Sequence, residues 1–271
     1  MSAVSYELDF ATYRSLQAVS RSTLTTLLSK SPAHARWELD HPKEQTPDML
    51  LGQAVHCLVL ESDVFMARFA LRDLDGRTTE GKTQAATIKA NGQVPMSRAD
   101  WQACRGMAAA VQRHPIAGEM LRVECGTKTE ISLQWDDVGG VPCKARLDAW
   151  APGQVWDLKS TQDARPSAFA RTIFQMGYGI QGAFYLRGAA ACGLKASEFR
   201  MVVVERDPPH GVYVYRLEDA VLQASDILID RALETWATCQ KTGVYPSYSE
   251  AVTDIGLPAW AWKDLVPEEG A

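Results

Sequence analysis

The 271-residue sequence predicts an α/β (α+β) fold, a central mixed β-sheet flanked by helices. Three observations predict it. Residues 129–135 and 144–159 alternate apolar and polar side chains with the period of a strand. Met201-Val202-Val203-Val204 is an apolar run of the kind found in strands covered on both faces. The stretches before and after these segments carry apolar residues at helical spacing. With 46% hydrophobic and 23% charged residues the composition is that of an ordinary globular chain. No apolar stretch reaches the roughly 18 residues of a membrane span. One domain is expected over 1–271, with a helical segment at 1–45, a core at 46–245 and an extended tail at 246–271.

In chain order, Met1–Asp9 has neither the basic region nor the apolar core of a secretion signal, so a cytoplasmic location is expected. Ser20 or Ser22 can cap a helix carrying Leu24, Leu27 and Leu28, which Ser31-Pro32 ends or redirects. Arg21, Lys30, His34 and Arg36 could meet a phosphate backbone but read first as a solvated face. Residues 48–61 predict a mostly buried helix with Leu51, Val55, Leu58 and Val59 inward. Gly52 and His56 lie four apart on one face of it, so the glycine would admit a ligand or a second backbone to the histidine; a satisfied core histidine is the plainer reading. From Asp73 to Asp100 the chain turns polar, with a short helix expected near 80–90 inside a mobile basic flap bearing Arg77, Lys82 and Lys89. Ser97 and Asp100 resemble a capping box for a helix ending near His114-Pro115.

Ile131, Leu133 and Trp135 point to one face of the next strand, and Glu130, Ser132 and Gln134 to the other. After Pro166 a helical region runs to Cys192; Tyr178, Gln181 and Tyr185 share one of its faces. Strands follow at 199–205 and 212–217. A long helix from about 219 to 241 should turn Val221, Ile227, Leu228 and Leu233 inward, and the tail carries Trp260, Trp262 and several prolines. The six cysteines, Cys57, Cys104, Cys125, Cys143, Cys192 and Cys239, are scattered and read as reduced core thiols. A net charge of −5 argues against coating nucleic acid by bulk electrostatics, so any basic groups for it must be gathered in a groove.

The chemistry concentrates in 144–159. Lys144, Arg146 and Asp148 share one strand face, opposite Ala145, Leu147 and Ala149. Pro152-Gly153 turns the chain, and a hairpin about it sets Asp148 opposite Asp157, with Lys159 on the same face. Two facing carboxylates repel unless a proton or a divalent cation lies between them. Carboxylates, water and a phosphate are ligands that magnesium prefers, so the pattern points to metal-assisted attack of water on a phosphodiester. Glu130 is a candidate third carboxylate, though a solvent-facing role is open to it. Truncating Asp157 or Lys159 to alanine is expected to stop such chemistry and to leave folding largely intact.

The order of these elements, with Asp148 followed by Asp157-Leu158-Lys159, resembles the PD-(D/E)XK nuclease superfamily and its restriction-endonuclease-like core. Gly52-x-x-x-His56 before the sheet and Gln181-x-x-x-Tyr185 after it are similar to its RecB and lambda-exonuclease-type branch. Further stretches, Ser22-Thr23-Leu24, Lys30–His34, Arg77-Thr78-x-x-Gly81-Lys82 and Gly177-Tyr178-x-x-Gln181, resemble the RecE (exonuclease VIII) catalytic domain. The resemblance implies Asp148, Asp157 and the Leu158 carbonyl as ligands of Mg2+, with Mn2+ able to substitute, and His56 beside the metal. It makes Lys159 the catalytic lysine, with Glu130 the least secure acid, and Gln181, Tyr185, Tyr178 and Arg146 groups facing substrate. It further implies a 5′-to-3′ exonuclease on linear double-stranded DNA, a ring-shaped trimer or tetramer, a RecT-like annealing partner and a phage or prophage setting. Iron–sulfur members of the branch use a closely spaced C-terminal cysteine group; Cys239 stands alone, so no cluster is expected.

Overall fold

Helix starts follow their capping residues. The computed structural model describes residues 2–6, 8–41, 45–120, 126–258 and 261–262. β1 (Ala3–Ser5) and α1 (Phe10–Ser15) lead to α2 (Arg21–Ser29), α3 (Pro32–Asp40) and α4 (Pro47–Leu60), the last three capped by Ser20, Ser31 and Thr46. Next come α5 (Phe65–Arg68), β2 (Phe69–Arg72), α6 (Thr79–Ala90), β3 (Val94–Ser97), α7 (Arg98–Arg113) and α8 (Pro115–Met120). The strands β4 (Lys128–Asp136), β5 (Pro142–Ala151) and β6 (Gly153–Thr161) follow. Then α9 (Pro166–Gln175) and α10 (Tyr178–Ala191) cross to β7 (Ala196–Glu205), β8 (Val212–Arg216) and α11 (Asp219–Thr242).

The main sheet has the order β1-β4-β5-β6-β7-β8. Its neighbours are antiparallel except β6 and β7, which are parallel because two helices carry the chain from one to the other. The sheet is therefore mixed and covered by helices on both sides, as the sequence predicts. One core unites Ile131, Leu133, Met201 and Val203 with Phe184 of α10 and Leu233 of α11. The other unites Trp156, Leu158, Val202 and Val204 with Val55 of α4 and Met107 of α7. The four-residue apolar run of β7 is wholly buried, two side chains to each core.

Glycines let α10 lie close to the sheet. A Cβ at Gly188 would stand 2.7 Å from the Trp135 ring, and one at Gly182 would stand 2.9 Å from the Phe199 ring. Gly188→Val is expected to destabilise the protein by about 1–3 kcal/mol through overpacking, seen as a lower Tm. Gly52→Ala is the contrast: a Cβ there meets nothing within 4 Å, so helix propensity should raise Tm slightly.

Two expectations change. In α11 the buried stripe is Leu222, Ser225, Ile229, Ala232, Leu233, Trp236 and Cys239, while Val221, Ile227 and Leu228 face solvent. Apolar residues stand side by side at 221–222 and 227–229, so periodicity alone leaves two stripes to choose between. The polar stretch around α6 is framed by β2 and β3, a parallel pair of four residues each; β3 stands where loop was expected, and its shortness and Pro95 hide it. Among the described residues, the tail is tied down only at its start. There Ala33 N–H donates to the Pro246 carbonyl at 3.1 Å and Tyr245 meets Trp236, whereas Val252 and Ile255 are fully exposed. Among the described cysteines Cys57, Cys104, Cys143 and Cys239 are buried and free, and Cys192 is half-buried and free. Cys125, Trp260 and Pro267 lie outside the described residues.

Candidate functional site

The hairpin of β5 and β6 turns at Gly153, whose φ of 92° suits only glycine well. Its ladder pairs Ala151 with Gln154, Trp150 with Val155 and Ala149 with Trp156. The next step in that register is Asp148 with Asp157, and there the strands part. The Leu158 N–H donates instead to Asp148 Oδ2 at 2.7 Å, so a carboxylate fills the gap in the ladder.

Glu130 reaches the same place from β4. Thr129 pairs with Ala149 and Ile131 with Leu147, while Glu130 between them adopts φ of 54°. A left-handed glutamate is strained, and strain of this kind gathers at functional sites. Arg146 holds it: Nε donates to Glu130 Oε2 at 2.5 Å, and Nη1 to the Leu8 carbonyl at 2.6 Å and Ser132 Oγ at 3.0 Å. Arg146 was expected to face substrate; here its Nε holds Glu130 and its Nη1 holds the Leu8 carbonyl and Ser132. Lys144, on the same strand face, is likewise committed, donating to the carbonyls of Tyr13, Arg14 and Leu16.

His56 enters from α4, with Nδ1 3.4 Å from Asp148 Oδ2. Its ring also meets the Leu158 backbone, which brings that peptide to the site. One turn earlier, Gly52 leaves open space. His56, Glu130 and Asp148 each offer a ligand atom, all within 4.8 Å of one another. Burial, and then the positive charge of Lys159, push the His56 pKa down, which favours the neutral, metal-ligating imidazole. Burial, and then the neighbouring Asp157, push Asp148 up to about 7. Burial and Asp148 push Glu130 up as well. Crowded, desolvated carboxylates beside a neutral imidazole are held at a cost that a divalent cation removes, so the donor set fits one.

Asp157 lies beside this cluster and is buried. Lys159 Nζ stands 2.5 Å from its Oδ2, which makes no hydrogen bond of regular geometry, and Gln181 Nε2 donates to its Oδ1 at 2.5 Å. Burial lowers the Lys159 pKa, but Asp157 and Asp148 outweigh it and the net shift is upward. The ammonium also sits 5.1 Å from the centre of the Tyr178 ring. Tyr185 completes the α10 face, half-buried, edge-on to Phe199, its hydroxyl pushed well above the ordinary tyrosine value by burial.

The structure thus gathers His56, Glu130, Asp148, Asp157, Leu158, Lys159, Tyr178, Gln181 and Tyr185 around one end of the β5–β6 hairpin. It adds Arg21, which the sequence reads first as part of a solvated face. Arg21 Nη2 donates to Gln181 Oε1 at 3.2 Å and its guanidinium lies 5.6 Å from the Tyr178 ring centre. The one local signal is the Ser20 cap, which sets Arg21 in the first turn of α2; nothing local names a partner 160 residues away.

Known proteins share the fold. No curated protein matches the sequence. A crystal structure of a protein from Eubacterium rectale, provisionally named an exonuclease, superposes with a TM-score of 0.66 over 97% of this chain and 100% of that one, at 15% identity. At that identity the likeness shows the fold alone. The crystal structure of SSO0001 covers 79% of this chain and 84% of its own at 15% identity, but its TM-score of 0.31 carries no argument. Residues 20–255 match the model of the PDDEXK-like domain of unknown function DUF3799. The span includes every site residue named above, and the chain belongs to that PDDEXK-like family.

Proposed function

We propose that the protein is a Mg2+-dependent exonuclease that degrades the 5′ strand of linear double-stranded DNA and leaves a 3′ overhang for strand annealing. The observation that carries the hydrolytic reading is the His56, Glu130 and Asp148 cluster set against the buried Asp157–Lys159 pair. His56, Glu130 and Asp148, with Asp157 adjoining, would hold the cation. A divalent cation held by them supplies polarisation of the phosphoryl oxygen and a lower pKa for water. Lys159, kept charged by two carboxylates, stabilises negative charge on the phosphate in the transition state. Asp157 fixes that ammonium, Gln181 fixes Asp157, and Arg146 fixes Glu130.

Polarity, end dependence and the recombination role rest on the resemblance of the motif order to the RecE-like exonucleases. So do a trimeric or tetrameric ring, a RecT-like partner and a phage or prophage setting. Linear duplex labelled at the 5′ or the 3′ end, beside a covalently closed circle, with Mg2+ and with chelator, tests the proposal. Early loss of the 5′ label with the circle intact is the expected result. Cutting of the circle would replace it with an endonuclease, and silence on every substrate with a DNA-binding subunit on the nuclease fold.

A further inference from the structure

We infer that Arg21 is a positioning residue of this site, acting on Asp157 through the Gln181 carboxamide. The catalytic consequence rests on the nuclease reading; the contacts do not. Ser20 caps α2 and so sets Arg21 as its first helical residue, and Thr25 one turn on lies against Gly177, where α9 hands over to α10. The start of α2 is thereby held beside the first turn of α10, which carries Tyr178 and Gln181.

A carboxamide has one accepting and one donating end. Arg21 Nη2 takes the accepting end of Gln181 at 3.2 Å, and the donating end reaches Asp157 Oδ1 at 2.5 Å. Asp157 then faces Lys159 with its other oxygen. Gln181 is 4% exposed, so water cannot take over either bond if one partner is lost. The same guanidinium lies over the Tyr178 ring, against which the Lys159 ammonium also rests. One planar cation therefore fixes both the amide that orients the acid and the ring that supports the lysine.

Two further observations separate this from ordinary packing. Among the described residues Arg21 has no carboxylate within ion-pair distance, so its charge is not neutralised locally. Its Nε is buried without a hydrogen-bond partner, so the guanidinium is placed to serve Gln181 and Tyr178 and leaves one of its own donors unsatisfied. Lysine could not replace it, since a single ammonium cannot both lie flat on the ring and point a donor along the amide.

The test uses the full chain with Arg21→Met, Arg21→Lys, Gln181→Ala and the Arg21→Met/Gln181→Ala double variant. Mn2+ affinity is measured by calorimetry without DNA, and kcat and KM on linear duplex with Mg2+. Arg21→Met and Gln181→Ala are each expected to lose about 10- to 100-fold in Mn2+ affinity or kcat, as when a group supporting a metal ligand is removed, with KM little changed. The double variant should be no worse than Gln181→Ala alone, because both changes break one chain of contacts. Arg21→Lys keeps the charged stem and guards against a variant that does not fold; it should show the same loss. Additive losses, an effect on KM alone, or full function in Arg21→Lys would overturn the inference. Absence of Mn2+ binding by the unmodified chain would overturn the metal site as well, whereas normal binding with unaffected Arg21 variants would overturn only the role of Arg21.

Discussion

Asp157→Asn and Lys159→Met are each expected to lower DNA hydrolysis by at least about a hundredfold, while the double variant, equally inactive, unfolds at a higher temperature than either single one. The loss of activity follows from removing a group that meets developing charge, or the group that holds it, in a desolvated site. The order of stabilities follows from burial. Side-chain exposure is 1% for Asp157 and 18% for Lys159, so removing one partner strands the other charge away from water. Breaking such a pair from one side costs roughly 3–5 kcal/mol, whereas replacing both partners with neutral groups of similar size is often neutral or stabilising. The sequence suggests that alanine at either position spares the fold, since each change truncates a site group and no core volume. The burial of the pair argues for the opposite outcome. Thermal melts of the three variants beside duplex hydrolysis check both halves, and a double variant less stable than both singles would sink the electrostatic account.

Much of this architecture was legible because period and punctuation agree with burial. The alternation of 129–135 and the apolar run 201–204 appear as strands, the chain turns at Pro152-Gly153, and Ser97 and Pro166 open helices, all as expected; Ser31, read as the end or bend of one helix, caps the next. That Asp148 comes toward Asp157 follows from the hairpin register, which a short turn fixes, although the ladder itself ends at Ala149 and Trp156. What was hidden is long-range or geometric. Arg146 has the same letter whether it faces a phosphate or Glu130, and only the left-handed turn of Glu130 aims that carboxylate at Arg146 and Asp148. Arg21 is separated from Gln181 by 160 residues, so no window of sequence contains both. Asp157 shows the same limit: a strand pattern gives its face, but its depth depends on α10 lying over the sheet, and that closeness is set by Gly182 and Gly188.

Protonation of Asp148 should stabilise the metal-free protein and weaken its hold on a cation, while His56, whose pKa burial pushes down, acts in the opposite sense. Asp148 titrates in the folded chain near 7 because burial and Asp157 oppose its charge, whereas in the unfolded chain an aspartate titrates near 3.9. The folded state therefore binds more protons than the unfolded state between those values. The Asp148 contribution to stability is greatest below the unfolded value and is lost as pH rises toward 7, by about 1.4 kcal/mol for each unit across the window. A divalent cation acts in the opposite sense, since it must displace that proton; its apparent affinity should fall by up to about tenfold per unit below pH 7. Calorimetric titration with Mn2+ and thermal melts between pH 5 and 8 measure the two together. Without cation Tm should drop more steeply with rising pH in the unmodified chain than in Asp148→Asn, which isolates the Asp148 contribution, and added Mn2+ should raise Tm more at pH 8 than at pH 5. Asp148→Asn removes the repulsion permanently: its metal-free Tm at pH 8 should exceed that of the unmodified chain, and Mn2+ should no longer shift it. A less stable Asp148→Asn protein that still responds to Mn2+ would mean that Asp148 is neither the strained carboxylate nor a ligand. The site would then have to be rebuilt on Glu130 and Asp157.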